Sequence, residues 1–126
     1  MLNQSRLVCF VATADAERAR AFYQGKLGLA LVEDNGYSLV FDVYGTQLRM
    51  QCVETVAPHP YTALGWEVAD LAATVRALAA AGVRIARFPG LALDADGIWD
   101  TPDGSRVAWF HDPDGNTLSL SQPPCA

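Results

Sequence analysis

Two stretches of this chain follow the same plan. Residues 10–23 (FVATADAERARAFY) and 65–78 (GWEVADLAATVRAL) each run from an apolar strand through Ala-Asp into a helix. The helix-opening aspartates, Asp15 and Asp70, stand 55 positions apart. A repeat this long means two similar supersecondary units, each too small to bury its apolar face alone. The expected fold class is therefore α+β, with two βαβββ modules forming curled, mostly antiparallel half-sheets around a concave cavity, the natural place for a ligand. The whole chain, 1–126, reads as one domain made of repeat 1 (4–54) and repeat 2 (60–122).

Local signals fill in each module. A strand over 6–13 leads to Asp15, which can cap a helix whose first turn carries Glu17, favourable at the positive end of the helix dipole. Ala19, Phe22, Tyr23 and Leu27 share one face at helical spacing, and Gly28 ends the helix. Strand-like runs follow at 29–34, 37–44 and 46–53, with Asn35-Gly36 as a two-residue hairpin signal and Gly45 marking the next turn. Pro58-His59-Pro60 separates the modules, since proline has no N–H for a ladder. The second module repeats the order: strand 61–68, helix 70–81 stopped by Gly82, and strands near 83–88, 105–110 and 117–121. Residues 89–100 read as an irregular loop with Trp99 and Asp100 at a lip, or as ordinary turn chemistry beside Asp103-Gly104. Both helices are expected on the convex side of the sheet, leaving the opposite face for a ligand.

Composition narrows the function. With 51% apolar and 18% charged residues the chain can build a core without staples. Three cysteines, Cys9, Cys52 and Cys125, show no CxxC spacing. The first four residues, MLNQ, have neither a basic flank nor a long apolar run, so a cytoplasmic, reducing location is expected. No apolar run approaches the roughly 18 residues of a spanning helix, so no membrane partner is expected. The formal charge of −5 and scattered Lys and Arg argue against nucleic acid and suit a cationic small molecule.

The closing run Trp109-Phe110-His111-Asp112-Pro113-Asp114-Gly115-Asn116-Thr117-Leu118, with Ala21-Phe22-Tyr23 followed by Leu27-Gly28-Leu29, resembles the vicinal oxygen chelate superfamily. That group includes glyoxalase I, bleomycin-resistance proteins, fosfomycin-resistance enzymes and extradiol dioxygenases. The resemblance covers nearly the whole chain and implies the glyoxalase/bleomycin resistance/dihydroxybiphenyl dioxygenase-like fold. It also implies a homodimer whose pockets draw on both chains. Members that do chemistry usually chelate a divalent metal through His, Gln or Glu from the first and last strands of the modules. Counting seven residues back from the helix-opening aspartates, the first-strand positions are Val8 and Ala63. The usual last-strand carboxylate falls at Ser119, and the fourth-strand position at Arg49 or Gln51. Neither hydrocarbon nor guanidinium ligates a dication, so no metal and no cofactor are expected. His59 and His111 read as solvated or structurally bonded.

Strand parity then predicts the cavity lining: Arg6, Val8 and Phe10 from the first strand, Ala63, Gly65 and Glu67 from the second module, with Val107, Trp109, Thr117, Ser119 and Ser121. Trp109 either stacks on a planar ligand or fills a core gap or dimer seam. Arg49, flanked by Gln47 and Gln51, either receives a carboxylate or amide through its planar fork or belongs to a solvated edge strand. Glu67 pairs with Arg49, attracts a cation, or acts as a general base, the one candidate for catalysis. Cys9 and Cys52 point toward the helices, and Cys125 lies in an exposed tail. The functions that remain are three. The first is a metal-free protein binding a small organic molecule. The second is an enzyme, either a lyase, isomerase or dioxygenase holding a metal through Glu67, Gln51 and His111, or a metal-free proton-transfer catalyst. The third is an interaction module.

Overall fold

In the computed structural model, which describes residues 1–125, these divide into two compact units, one over 1–58 and one beginning at His59. The division falls within the Pro58-His59-Pro60 linker.

The first unit contains β1 (Val8–Thr13), α1 (Ala16–Arg20), β2 (Ala30–Asp34), β3 (Ser38–Val43) and β4 (Thr46–Cys52), after a short 3₁₀ turn at Leu2–Gln4. Asp15 caps α1 by accepting the Arg18 N–H at 3.2 Å. The helix does not run straight to Gly28 as its spacing suggests. After Arg20 it widens into a π-helical segment, Ala21–Lys26, which turns Phe22 and Tyr23 into the core. The strands form one sheet in the order β1-β4-β3-β2, with β1 parallel to β4 and the other pairs antiparallel. Leu39, Phe41, Leu48, Met50 and Val11 occupy its helix side and are all buried. Tyr23 packs on Phe41 with ring centres 6.0 Å apart. Burying such a set from water supplies the main stabilisation of a unit this size.

The tight two-residue hairpin lies at Tyr44-Gly45 rather than Asn35-Gly36. Val43 pairs with Thr46, and Tyr44 (φ +49°) and Gly45 (φ +89°) both adopt the left-handed backbone that a right-twisted ribbon needs at its corner. At the other hairpin Asn35 Oδ1 accepts the N–H groups of Tyr37 (3.2 Å) and Ser38 (2.9 Å), building a wider loop.

The second unit contains β5 (Leu64–Glu67), α2 (Leu71–Ala80), β6 (Ile85–Ala86), β7 (Trp99–Asp100), β8 (Arg106–His111) and β9 (Thr117–Gln122). Its sheet runs β5-β9-β8-β6, with β7 also paired to β8. The β1/β4 arrangement recurs as β5 parallel to β9. Asp70 caps α2 by accepting the Ala73 N–H at 3.1 Å, and Gln122 Oε1 takes the Leu71 N–H at 2.8 Å. Leu71 and Val75 on α2 are buried, the helix packs on β8 and β9, and Leu118, Leu120, Ala108 and Phe110 fill the helix side of the sheet. Trp66 stacks against Phe110 there.

The segment expected to be an irregular lip is partly ordered. Leu93 bridges to Trp99, Ile98 is buried, and Trp99-Asp100 form β7. Polar ties hold it: Arg76 to Asp96 at 3.0 Å, Arg106 to Asp94 at 3.6 Å and to Asp100 at 3.0 Å, and Arg87 donating to the Asp94 carbonyl at 2.8 Å. Asp96 in turn raises the pKa of the Arg76 guanidinium, first through its hydrogen bond and then through its charge.

Candidate functional site

Each sheet has one face away from its helix, and the predicted site residues other than Asp100 fall on those two faces. On the first sheet the register aligns Val8 with Gln47 and Asp42, Phe10 with Arg49 and Val40, and Ala12 with Gln51 and Ser38. Residues directly opposite share a side of the sheet. Phe10, Gln47, Arg49 and Gln51 are therefore brought together on one face, as parity predicts. Phe10 is 54% exposed although aromatic, whereas Val40 and Ser38 are buried. The reading of Arg49 as a solvated edge-strand residue does not hold. Strand β4 is interior, with β1 on one side and β3 on the other, and Arg49 is half-buried. Its Nε–H is closed off from solvent and has no acceptor among the described residues, and no ion pair joins Arg49 to a described carboxylate. An open groove of about 390 Å³ runs beside it, lined by Tyr37, Ser38, Arg49, Gln51, Cys52 and Val53. Cys9 and Cys52 lie on the helix side by parity, both half-buried, and Cys125 is exposed.

On the second sheet one row reads Gly65, Ser119, Trp109, Ala86, and the next Glu67, Ser121, Val107, Trp99. A Cβ at Gly65 would come within 2.6 Å of the Ser119 Oγ, so any larger residue there requires that hydroxyl to turn to another rotamer. Trp99 stacks on Trp109 with ring centres 6.2 Å apart, and Phe88 meets Trp109 edge-on at 5.4 Å. Sequence reasoning named both tryptophans and missed Phe88, although its place two residues beyond Ala86, at the end of the run 83–88, put it on the same side. Glu67 is exposed beside an open groove with Val68, Gln122 and Pro123. Asp100 is turned to Arg106 instead of joining the tryptophans.

The histidines divide. His59 stacks flat on Tyr61 at 5.1 Å, and its carbonyl accepts the Thr117 hydroxyl at 3.3 Å, a structural role. His111 ends β8 opposite Thr117 with its Nδ1 buried and unpartnered among the described residues. The Asp112–Asn116 run is a turn: Asp112 accepts the N–H groups of Asp114 and Asn116 and the Asn116 side-chain amide.

Divalent-metal chelation fits these side chains poorly. The first-strand positions carry the hydrocarbon of Val8 and Ala63, Ser119 offers a neutral hydroxyl beside Gly65, and of the two fourth-strand candidates Arg49 is a cation and Gln51 a single neutral amide with that cation two residues away on the same face. The unconventional set is not assembled either. Glu67 aligns through β9 with Val107, four residues along β8 from His111, about 13 Å at the rise of a strand. Among the described residues no three His, Cys, Asp or Glu side chains converge on a common point.

The sequence profile of the Glyoxalase/Bleomycin resistance protein/Dioxygenase superfamily matches residues 6–120, and the chain belongs to that family. Solved structures share the fold at low identity. A genomically encoded fosfomycin resistance protein from Listeria monocytogenes superposes with a TM-score of 0.76 at 13% identity, over 95% of this chain and 93% of that one. A glyoxalase-related enzyme from Fulvimarina pelagi gives 0.73 at 22%, over 95% and 88%. A glyoxalase/bleomycin resistance protein from Catenulispora acidiphila gives 0.71 at 24%, over 94% and 98%. A search among curated proteins finds no match.

Proposed function

We propose that this chain is a glyoxalase/bleomycin-resistance-like protein that binds a small organic molecule without a metal ion. The observation that supports this reading is the make-up of the two open sheet faces. Aromatic surface, the exposed Phe10 and the half-buried Trp99–Trp109 pair, stands beside a few directed polar groups, Arg49, Gln47, Gln51 and Ser119, in place of a chelating set. Aromatic walls with sparse polar contacts are how proteins usually recognise small molecules.

The test combines metal analysis of the purified protein with a thermal-shift screen of small aromatic compounds, run with and without a chelator. Stabilisation that the chelator leaves unchanged is the expected result. Stoichiometric zinc, nickel, manganese or iron, with stabilisation lost on chelation, would replace this reading by the metal-dependent lyase, isomerase or dioxygenase. A proton-transfer catalyst is the second reading, favoured by exposed Glu67 on an open face and by the unpartnered Nδ1 of His111. The same proposal includes a homodimer, for which exposed Leu7 and Val32 offer apolar surface, and a reducing cytoplasmic setting, which suits three free thiols. No helix among the described residues is long and apolar enough to cross a membrane.

A further inference from the structure

Resting on the small-molecule reading above, we infer that the ligand is a planar organic acid, with its oxyanion on the Arg49 guanidinium and its ring against Phe10. Arg49 stands on an interior strand, so its stem must lie over the sheet between Phe10 on β1 and Val40 on β3. Those apolar flanks keep water away and lower the local dielectric, which strengthens any charge pairing made there. The Nε–H is already desolvated and lacks an acceptor. A buried unpaired donor is unfavourable, so whatever supplies an acceptor is favoured. An oxyanion arriving from the open side meets the Nη groups of the guanidinium, whose paired N–H bonds make a fork that fits a planar carboxylate, and it gains the buried Nε–H as well when the side chain swings off the sheet.

The surroundings define the rest of the ligand. Gln47 and Gln51 lie two residues either side of Arg49 on the same face and offer neutral amides to further polar atoms. Phe10, directly opposite Arg49 and more than half exposed, gives a ring a surface to stack on. Two acids share this face, Glu33 on β2 opposite Val40 and Asp42 on β3 opposite Gln47, and neither makes an ion pair with Arg49. The net charge of −5 repels anions at long range, so this cation provides selectivity at contact instead of fast capture.

The test titrates the full chain with 2-naphthoate, 2-naphthalenesulfonate and the neutral 2-naphthamide by calorimetry. The naphthoate should bind about tenfold or more tighter than the amide, a difference of roughly 1.4 kcal/mol. Arg49→Met should erase that difference while leaving the affinity for the amide in place, and Arg49→Lys should restore only part of it. A sulfonate that binds as well as the carboxylate supports a general oxyanion site. Equal affinities for acid and amide in the unaltered protein overturn the inference and leave the small-molecule reading standing. An acid preference that survives in Arg49→Met also overturns it. If none of the three compounds binds, both fall.

Discussion

At the scale of single residues, close approach and exposure decide which positions can be altered. Gly65 faces the Ser119 Oγ at a distance no Cβ tolerates. Gly65→Ala should therefore destabilise the protein by up to about 1 kcal/mol in urea unfolding, the cost of forcing the Ser119 hydroxyl into another rotamer. Ser119→Ala in the same chain should recover most of that loss, because the obstruction is a single hydroxyl. Additive effects in this double-mutant cycle would mean the two side chains do not meet. Phe10 behaves in the opposite way: as an exposed ring its replacement by Ser should change stability by no more than about 0.5 kcal/mol. A larger loss would make Phe10 part of the core. The face occupied by Phe10, Gln47, Arg49 and Gln51 was legible from strand alternation alone. The half-burial of Arg49 was not, because it depends on β1 pairing with β4 across some 40 residues, a contact that no local pattern encodes.

Elements were legible wherever a local rule sets their ends. Asp15 and Asp70 cap the helices they were expected to cap, and Gly82 stops α2 with φ +88°. Asp70→Ala should cost about 1 kcal/mol of unfolding free energy, measured by urea denaturation. The π-helical widening after Arg20 and the strand β7 were not legible, and although Gly45 marked a tight turn, its being the two-residue hairpin in place of Asn35-Gly36 was not. The widening places Tyr23 against Phe41, a partner 18 residues on, and β7 depends on pairing with β8 through Val107 and Arg106. The turn before β8 carries a pH prediction. Asp103 accepts hydrogen bonds from the Ser105 hydroxyl (2.6 Å), the Thr101 hydroxyl and the Ser105 N–H (3.0 Å). Together these lower its carboxyl pKa from 3.8 to about 2, the Ser105 hydroxyl contributing most. A carboxylate with a depressed folded-state pKa stabilises the fold fully above the unfolded value. That contribution fades as the pH falls from about 4 through about 2. Asp103→Asn should flatten the stability profile between those two values, and an NMR titration should place the Asp103 midpoint near the lower one. A midpoint near 4 would remove this account of the turn.

For the whole molecule, the repeat visible as Ala-Asp in the sequence returns as two units of matching strand order, each with its first strand parallel to its last. The joint between them is exposed over most of residues 53–63, where Pro58 and Pro60 exclude ladder bonds. Limited digestion with chymotrypsin should cut first after Tyr61, which is solvent-exposed, giving fragments of residues 1–61 and 62–126 by mass spectrometry. Primary cleavage in the 89–98 segment instead would show that the ties from Arg76, Arg87 and Arg106 do not hold it. The Tyr44-Gly45 corner has one further consequence. A tyrosine with its ring in open water and its backbone in the left-handed region gains nothing from packing to offset the strain. Asparagine accepts that geometry more readily, so Tyr44→Asn is a route to a hardier scaffold, a thermostability dial set at a hairpin tip outside the Arg49 row.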